Sequence, residues 1–127
     1  MIYIASPYSH YDTKTRKQRY DAVNCFCGHL FESQGLFVYS PIVHWHPIAV
    51  EREWTGCFEQ FRANDFHMLT LASEMYLLCL DGWEDSFGVR QELRFCRSLK
   101  KPVTIFDTSY QETNELWPLS PRQGHCC

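Results

Sequence analysis

The sequence predicts a single doubly wound α/β domain, flavodoxin-like or Rossmann-like, with a parallel sheet of four to five strands and helices on both faces. Three observations carry this. Short apolar runs alternate with longer stretches of helical periodicity, in the order strand, helix, strand, helix, strand, helix, strand. One run, residues 75–80 (MYLLCL), is nearly all apolar, as a central strand covered on both faces requires. A chain of 127 residues, 45% hydrophobic and 21% charged, has the size and composition of one globular domain.

Residues 1–5 (MIYIA) are the first strand, ended by the turn signal Ser6-Pro7-Tyr8-Ser9. Asp12 or Thr13 then caps a helix whose apolar positions, Val23, Phe26, Cys27, Leu30 and Phe31, repeat at helical spacing up to the stop at Gly35. Residues 36–39 (LFVY) are the second strand, ended by Ser40-Pro41. The polar and aromatic stretch 42–56 reads as a long functional loop. Residues 57–71 have helical character, with Phe58, Phe61, Phe66 and Leu69 available for a buried face. After the central strand, residues 81–87 form a loop. Residues 88–99 are a helix carrying Val89, Leu93, Cys96 and Leu99 on one side. Residues 103–106 are a fourth strand, completing an α/β domain over 1–107. From 108 to 127 the chain reads as an irregular extension, with Pro118, Pro121 and Gly124 opposing regular structure.

Composition excludes several functions. Fifteen acidic against twelve basic residues give a net charge of −3, which argues against wrapping a nucleic acid polymer. The apolar runs are too short for a bilayer, so no membrane partner is expected. Seven cysteines, an odd number without a secretory leader, point to free thiols in the cytoplasm. Cys25 and Cys27 are two apart on a helix and cannot share an ion; Cys57, Cys79 and Cys96 read as small buried residues, and Cys126-Cys127 as an exposed end. The aromatic content, 16%, exceeds what a core alone explains, so some rings are expected in a pocket.

In doubly wound sheets ligands bind beyond the carboxyl ends of the strands. The informative loops are therefore 6–12, 40–56 and 81–87. The segment 81–92 (DGWEDSFGVRQE) leaves the central strand and turns into a helix, placing Ser86 and Gly88 where unpaired backbone N–H groups and the helix dipole favour an anion. Glu92 lies about one turn further in. Taken alone, the segment reads rather as a helix start capped by Asp85 or Ser86, with Glu92 in solvent. His44-Trp45-His46 admits a metal reading, since residues two apart in an extended chain point the same way, but no third ligand is evident. Stacking by Trp45, or hydrogen bonds from His44 or His46 to a ligand, is the reading adopted.

The run Ile2-Tyr3-Ile4-Ala5-Ser6-Pro7-Tyr8-Ser9, the stretch Ser40-Pro41-Ile42-Val43-His44-Trp45-His46-Pro47-Ile48, Asp65, and residues 81–92 occur together and in this order. As a set they resemble the nucleoside 2-deoxyribosyltransferase superfamily, nearest to a small bacterial and phage branch similar to 2′-deoxynucleoside 5′-monophosphate N-glycosidases. The resemblance spans residues 2–106. It implies that Glu92 is a nucleophile attacking C1′ of a deoxyribosyl group through a covalent intermediate. It further implies that Asp65 assists at the base or sugar and that Tyr3 orients Glu92.

The nucleotide hydrolases of that superfamily hold a 5′-phosphate with small residues and an Arg from the first loop and with a Ser-x-Gly ahead of the nucleophile. Ser6 and Ser9 match the first element in part, and Ser86-Phe87-Gly88 the second. The first loop has Tyr8 but no Arg beside Ser6; Arg16 or Arg19 could substitute, although with Lys14 and Lys17 they also fit a solvated basic face. Asp81 and Trp83 complete the expected ligand-binding set, Trp83 as a wall of the base site. The resemblance implies a small-molecule nucleotide or nucleoside as substrate, no metal or organic cofactor, and a homodimer or higher homo-oligomer. The rivals are a nucleotide-binding protein of the same fold without turnover and a purely structural domain.

Overall fold

The four apolar runs become β1 (Ile2–Ala5), β2 (Val38–Tyr39), β3 (Glu74–Leu78) and β4 (Val103–Phe106). A computed structural model describes residues 1–54 and 58–113. The helices are α1 (Thr13–Gln34), α2 (Pro41–Glu51), α3 (Phe58–Leu71) and α4 (Phe87–Ser98), with a 3₁₀ turn at Trp83–Asp85. All strands are parallel, in the order β2-β1-β3-β4. The chain winds outward from β1 to β2, then crosses back to β3 on the other side of β1. A crevice therefore opens between the carboxyl ends of β1 and β3, where the winding reverses.

Strand alternation divides β1 between two cores. Ile2 and Ile4 pack with Val23, Phe26 and Leu30 of α1 and with Ile42 of α2. Tyr3 and Ala5 face the opposite layer, with Leu69 of α3 and Val89, Leu93 and Cys96 of α4. The doubly wound arrangement with helices on both faces follows from this two-sided burial.

Local chemistry fixes the element ends. Asp12 is the N-cap of α1, its side chain accepting from the Lys14 N–H at 3.2 Å. Gly35 ends α1 in the left-handed region (φ 65°). Of the expected α1 face, Val23, Phe26 and Leu30 are buried, but Phe31 is largely exposed because it lies about 100° around the helix from Leu30. In α3, Asp65 and Leu69 are buried, with Phe61 and Phe66 half-buried. Cys79 and Cys96 are buried free thiols, Cys27 is half-buried and Cys25 exposed.

Two expectations need correction. Residues 42–51 are not a loop: Pro41–Glu51 is a helix. Ser40 caps it, accepting from the Val43 N–H at 3.1 Å, and Pro41 occupies the first turn, where its missing N–H has no helical partner to lose. The Ser-Pro pair that ends a strand thus also begins a helix. The extension also begins with order. The Asp107 carboxylate accepts from the N–H groups of Ser109 (2.8 Å) and Gln111 (3.1 Å), and Tyr110 packs on Phe26 and His29. Glu112 then forms an antiparallel bridge with Phe106, and the Thr113 N–H bonds the Ile105 carbonyl. Cys57, the Phe58 side chain, Pro118, Pro121, Gly124, Cys126 and Cys127 lie outside the described residues.

Lys101 closes α3. Its Nζ donates to the Leu69 carbonyl at 2.9 Å and also to those of Thr70 and Ala72, at the helix end where carbonyls lack partners. Lys101→Met is expected to cost roughly 2 kcal/mol in urea denaturation, the usual magnitude for charge-assisted bonds. A cost under about 0.5 kcal/mol would mean that water serves these carbonyls equally well.

Candidate active site

The crevice holds a pocket of about 510 Å³, solvent at its mouth included. Each flanking element contributes to its lining. The loop after β1 supplies Ser6, Tyr8 and Ser9. The start of α2 supplies Pro41, Ile42 and Trp45, and α3 supplies Phe61 and Asp65. The N-terminal half of α4 supplies Ser86, Gly88 and Glu92.

Glu92 is 4% exposed, and its Oε2 accepts a short hydrogen bond from the Tyr3 hydroxyl. Tyr3 is fully buried on the central strand β1, so the bond ties α4 to the middle of the sheet. It also fixes one carboxylate oxygen of a residue that lines the pocket. Burial pushes the Glu92 carboxyl well above its ordinary value; Tyr3 opposes that shift and the neighbouring Asp65 adds to it. Tyr3 itself is raised well above its usual range, first by burial and then by both carboxylates, so it remains the donor.

Asp65 is also 4% exposed, and burial raises it to about 7. The Trp45 indole N–H lies close enough to oppose that shift, yet Trp45 Nε1 and Asp65 Oδ1 both lack a completed hydrogen bond. The pocket therefore holds two buried carboxyls that repel one another, an arrangement suited to one acting as acid while the other acts as nucleophile or base.

The same lining also offers groups suited to a polar ligand. Ser6 Oγ is buried without a partner. Ser86 is the N-cap of α4, its Oγ accepting from the Val89 N–H at 3.3 Å, which leaves the hydroxyl proton to donate. Pro41 and Ile42 of α2 and Gly88 of α4 bring two helix N-termini to the same cavity, both favouring negative charge.

The structure thus brings together Ser6, Tyr8, Ser9, Trp45, Asp65, Ser86, Gly88 and Glu92, with Tyr3 directly behind Glu92. Six other candidates lie outside the lining. His44 is exposed and packs edge-on against Trp45. His46 is buried towards α1, its Nδ1 2.6 Å from the Tyr8 hydroxyl and its ring stacked on Tyr20. On a helix the two histidines point apart, which removes the premise of the shared-ion reading. Trp83 is buried in the core cluster that includes Val89 and Leu93 and is not part of this pocket's lining. The Asp81 side chain is exposed, while its carbonyl accepts from Arg19 Nη2 at 3.2 Å. Arg19 Nη1 bonds the Ser9 carbonyl at 3.0 Å, and Arg16 bonds the carbonyl of His10. Neither arginine lines the pocket.

Three lining residues were not singled out from sequence as ligand contacts. Phe61 stands four residues before Asp65 and so shares its face of α3, a spacing that would have revealed it. Pro41 and Ile42 required the reading of Ser40-Pro41 as a helix start.

The raised Asp65 carboxyl makes stability depend on pH. The folded chain keeps a proton that the unfolded chain releases above about pH 4, so folding loses stability as pH rises from about 4 to about 7. Asp65→Asn removes this loss. The variant is expected to exceed the wild type by roughly 2–4 kcal/mol more at pH 8 than at pH 4 in urea denaturation. A difference independent of pH would show that Asp65 ionises without cost.

No curated protein matches the chain. A family model described as a domain of unknown function, DUF1937, matches residues 1–108, which include every strand and helix of the described residues and the whole pocket lining. The chain belongs to the DUF1937 family.

Proposed function

We propose that the protein is an N-glycosidase or 2-deoxyribosyltransferase that cleaves the N-glycosidic bond of a 2′-deoxynucleoside 5′-monophosphate through a covalent glycosyl-Glu92 intermediate. The observation that carries the proposal is Glu92, held by Tyr3 and facing a pocket that it shares with Asp65. The motif resemblance gives these three residues the same roles, and the serine-lined end of the pocket suits a 5′-phosphate.

In the first step a Glu92 oxygen bonds to C1′. The C1′–N bond breaks, and its electron pair stays with the base, which takes the Asp65 proton. The transition state carries positive charge at C1′. That charge favours ionised Glu92 even though burial opposes ionisation in the free protein, and Tyr3 donates to the same carboxylate. In the second step water attacks C1′ and passes a proton to the Asp65 carboxylate, and the Glu92–C1′ bond breaks. The products are free base and 2-deoxyribose 5-phosphate. A second base in place of water gives transfer. The proposal needs no metal or organic cofactor. It takes the working unit as a homodimer or higher homo-oligomer in the cytoplasm, a setting that suits the free thiols of Cys25, Cys27, Cys79 and Cys96.

Chromatography of the protein incubated with deoxynucleosides and their monophosphates, with and without an acceptor base, tests the proposal. Base release is expected, falling at least about a thousandfold in Glu92→Gln. Binding without release in both proteins would instead establish a non-catalytic nucleotide-binding protein. Ser86→Asp is expected to lower the preference for monophosphate over nucleoside by roughly tenfold or more, since a carboxylate there repels phosphate.

The active pair carries one proton, so kcat/KM is expected to fall at low pH, where both carboxyls are protonated, and at high pH, where neither is. Tyr3→Phe removes the bond that lowers the Glu92 pKa. Its acidic limb is expected to move to higher pH. An unmoved limb would separate Tyr3 from the nucleophile.

A further inference from the structure

We infer that Arg19 is a positioning residue that sets the spacing of the two loops facing the anionic end of the ligand, acting through its fork of hydrogen bonds rather than by touching the ligand. The inference rests on the reading of the pocket as a site for a phosphate-bearing ligand. Arg19 projects from α1 between the loop after β1 and the loop after β3. Its Nη1 donates to the Ser9 carbonyl at 3.0 Å and its Nη2 to the Asp81 carbonyl at 3.2 Å. The Asp81 carboxylate adds an attraction.

The first loop carries Ser6, Tyr8 and Ser9 into the pocket, and the second leads into Ser86 and Gly88, so the guanidinium spans the two groups of small polar residues. Ser6 Oγ, buried and unpartnered on that lining, is open to a hydrogen bond with a polar ligand.

The second loop is shaped around the guanidinium. Gly82 has φ 86°, and a Cβ there would stand 2.7 Å from Arg19 Nη2. Glycine at 82 is favoured by its backbone conformation, and a Cβ there would also displace the end of Arg19. A side chain at 82 would push the end of Arg19 away and break the bond to Asp81. Two carbonyls on separate loops, each met by a different Nη atom, suit a planar fork; a lysine ammonium matches the charge but not the fork.

Titration calorimetry with 2-deoxyribose 5-phosphate tests the inference without requiring turnover. Arg19→Met, Arg19→Lys and Gly82→Ala are each expected to weaken this ligand at least about tenfold, roughly 1.4 kcal/mol. Affinity for a 2′-deoxynucleoside bound by the wild type, which lacks the phosphate, should change less than about twofold. Wild-type affinity in Arg19→Lys would show that charge alone suffices and would overturn the fork. An unchanged Gly82→Ala, equal weakening of both ligands, or a wild-type protein that does not bind the sugar phosphate would each overturn the inference as well. If one variant does not fold, the other two decide. The glycosidase reading fails separately: a wild-type protein that binds the sugar phosphate and loses it in the three variants, yet releases no base, supports the positioning role and refutes the chemistry.

Discussion

The hydrogen bond from Tyr3 to Glu92 is the constraint on which the rest of the site depends. It joins the central strand to the helix on one face of the sheet, deep in a core otherwise filled by Met75, Leu77, Val89 and Leu93. A carboxyl in such surroundings is costly, and fold stability alone gives no reason to keep it. The same burial that raises Glu92 keeps Tyr3 protonated, so donor and acceptor roles are fixed by the surroundings. Asp65, buried close by, makes a second carboxyl share the dry volume. The two are in conflict, because neither carboxyl is comfortable ionised while the other is.

Much of this was legible in the sequence because it rests on local signals. The apolar runs at 1–5 and 75–80 reveal the strands, and Asp12 and Gly35 mark the ends of the first helix. The candidate site was legible wherever a residue sits on a strand end or a helix start. Ser6 and Ser9 follow β1, and Ser86 and Gly88 open α4.

What was not legible depends on tertiary packing. Residues 41–51 have two prolines, two histidines and little periodic contrast, so their helix is fixed by the Ser40 cap and by burial of Ile42, His46 and Ala49. Once that stretch is helical, Trp45 turns to the pocket while His44 and His46 turn elsewhere. Trp83 was misplaced for a related reason. An aromatic in a loop suggests a binding wall, but the 3₁₀ turn tucks this ring beneath α4. Arg19 looked like a charge available to an anion, and only the fold reveals the carbonyls that engage it.

The short β2 and the chain that folds back beside β4 have a consequence for how copies of this protein can meet. A parallel sheet with open edges invites a further strand. Here one edge strand has two residues, and the other is met by its own chain through the Phe106–Glu112 bridge and the Thr113 N–H. The backbone thus offers little template for growth at either border. The described backbone therefore does not favour a sheet continued from one molecule into the next.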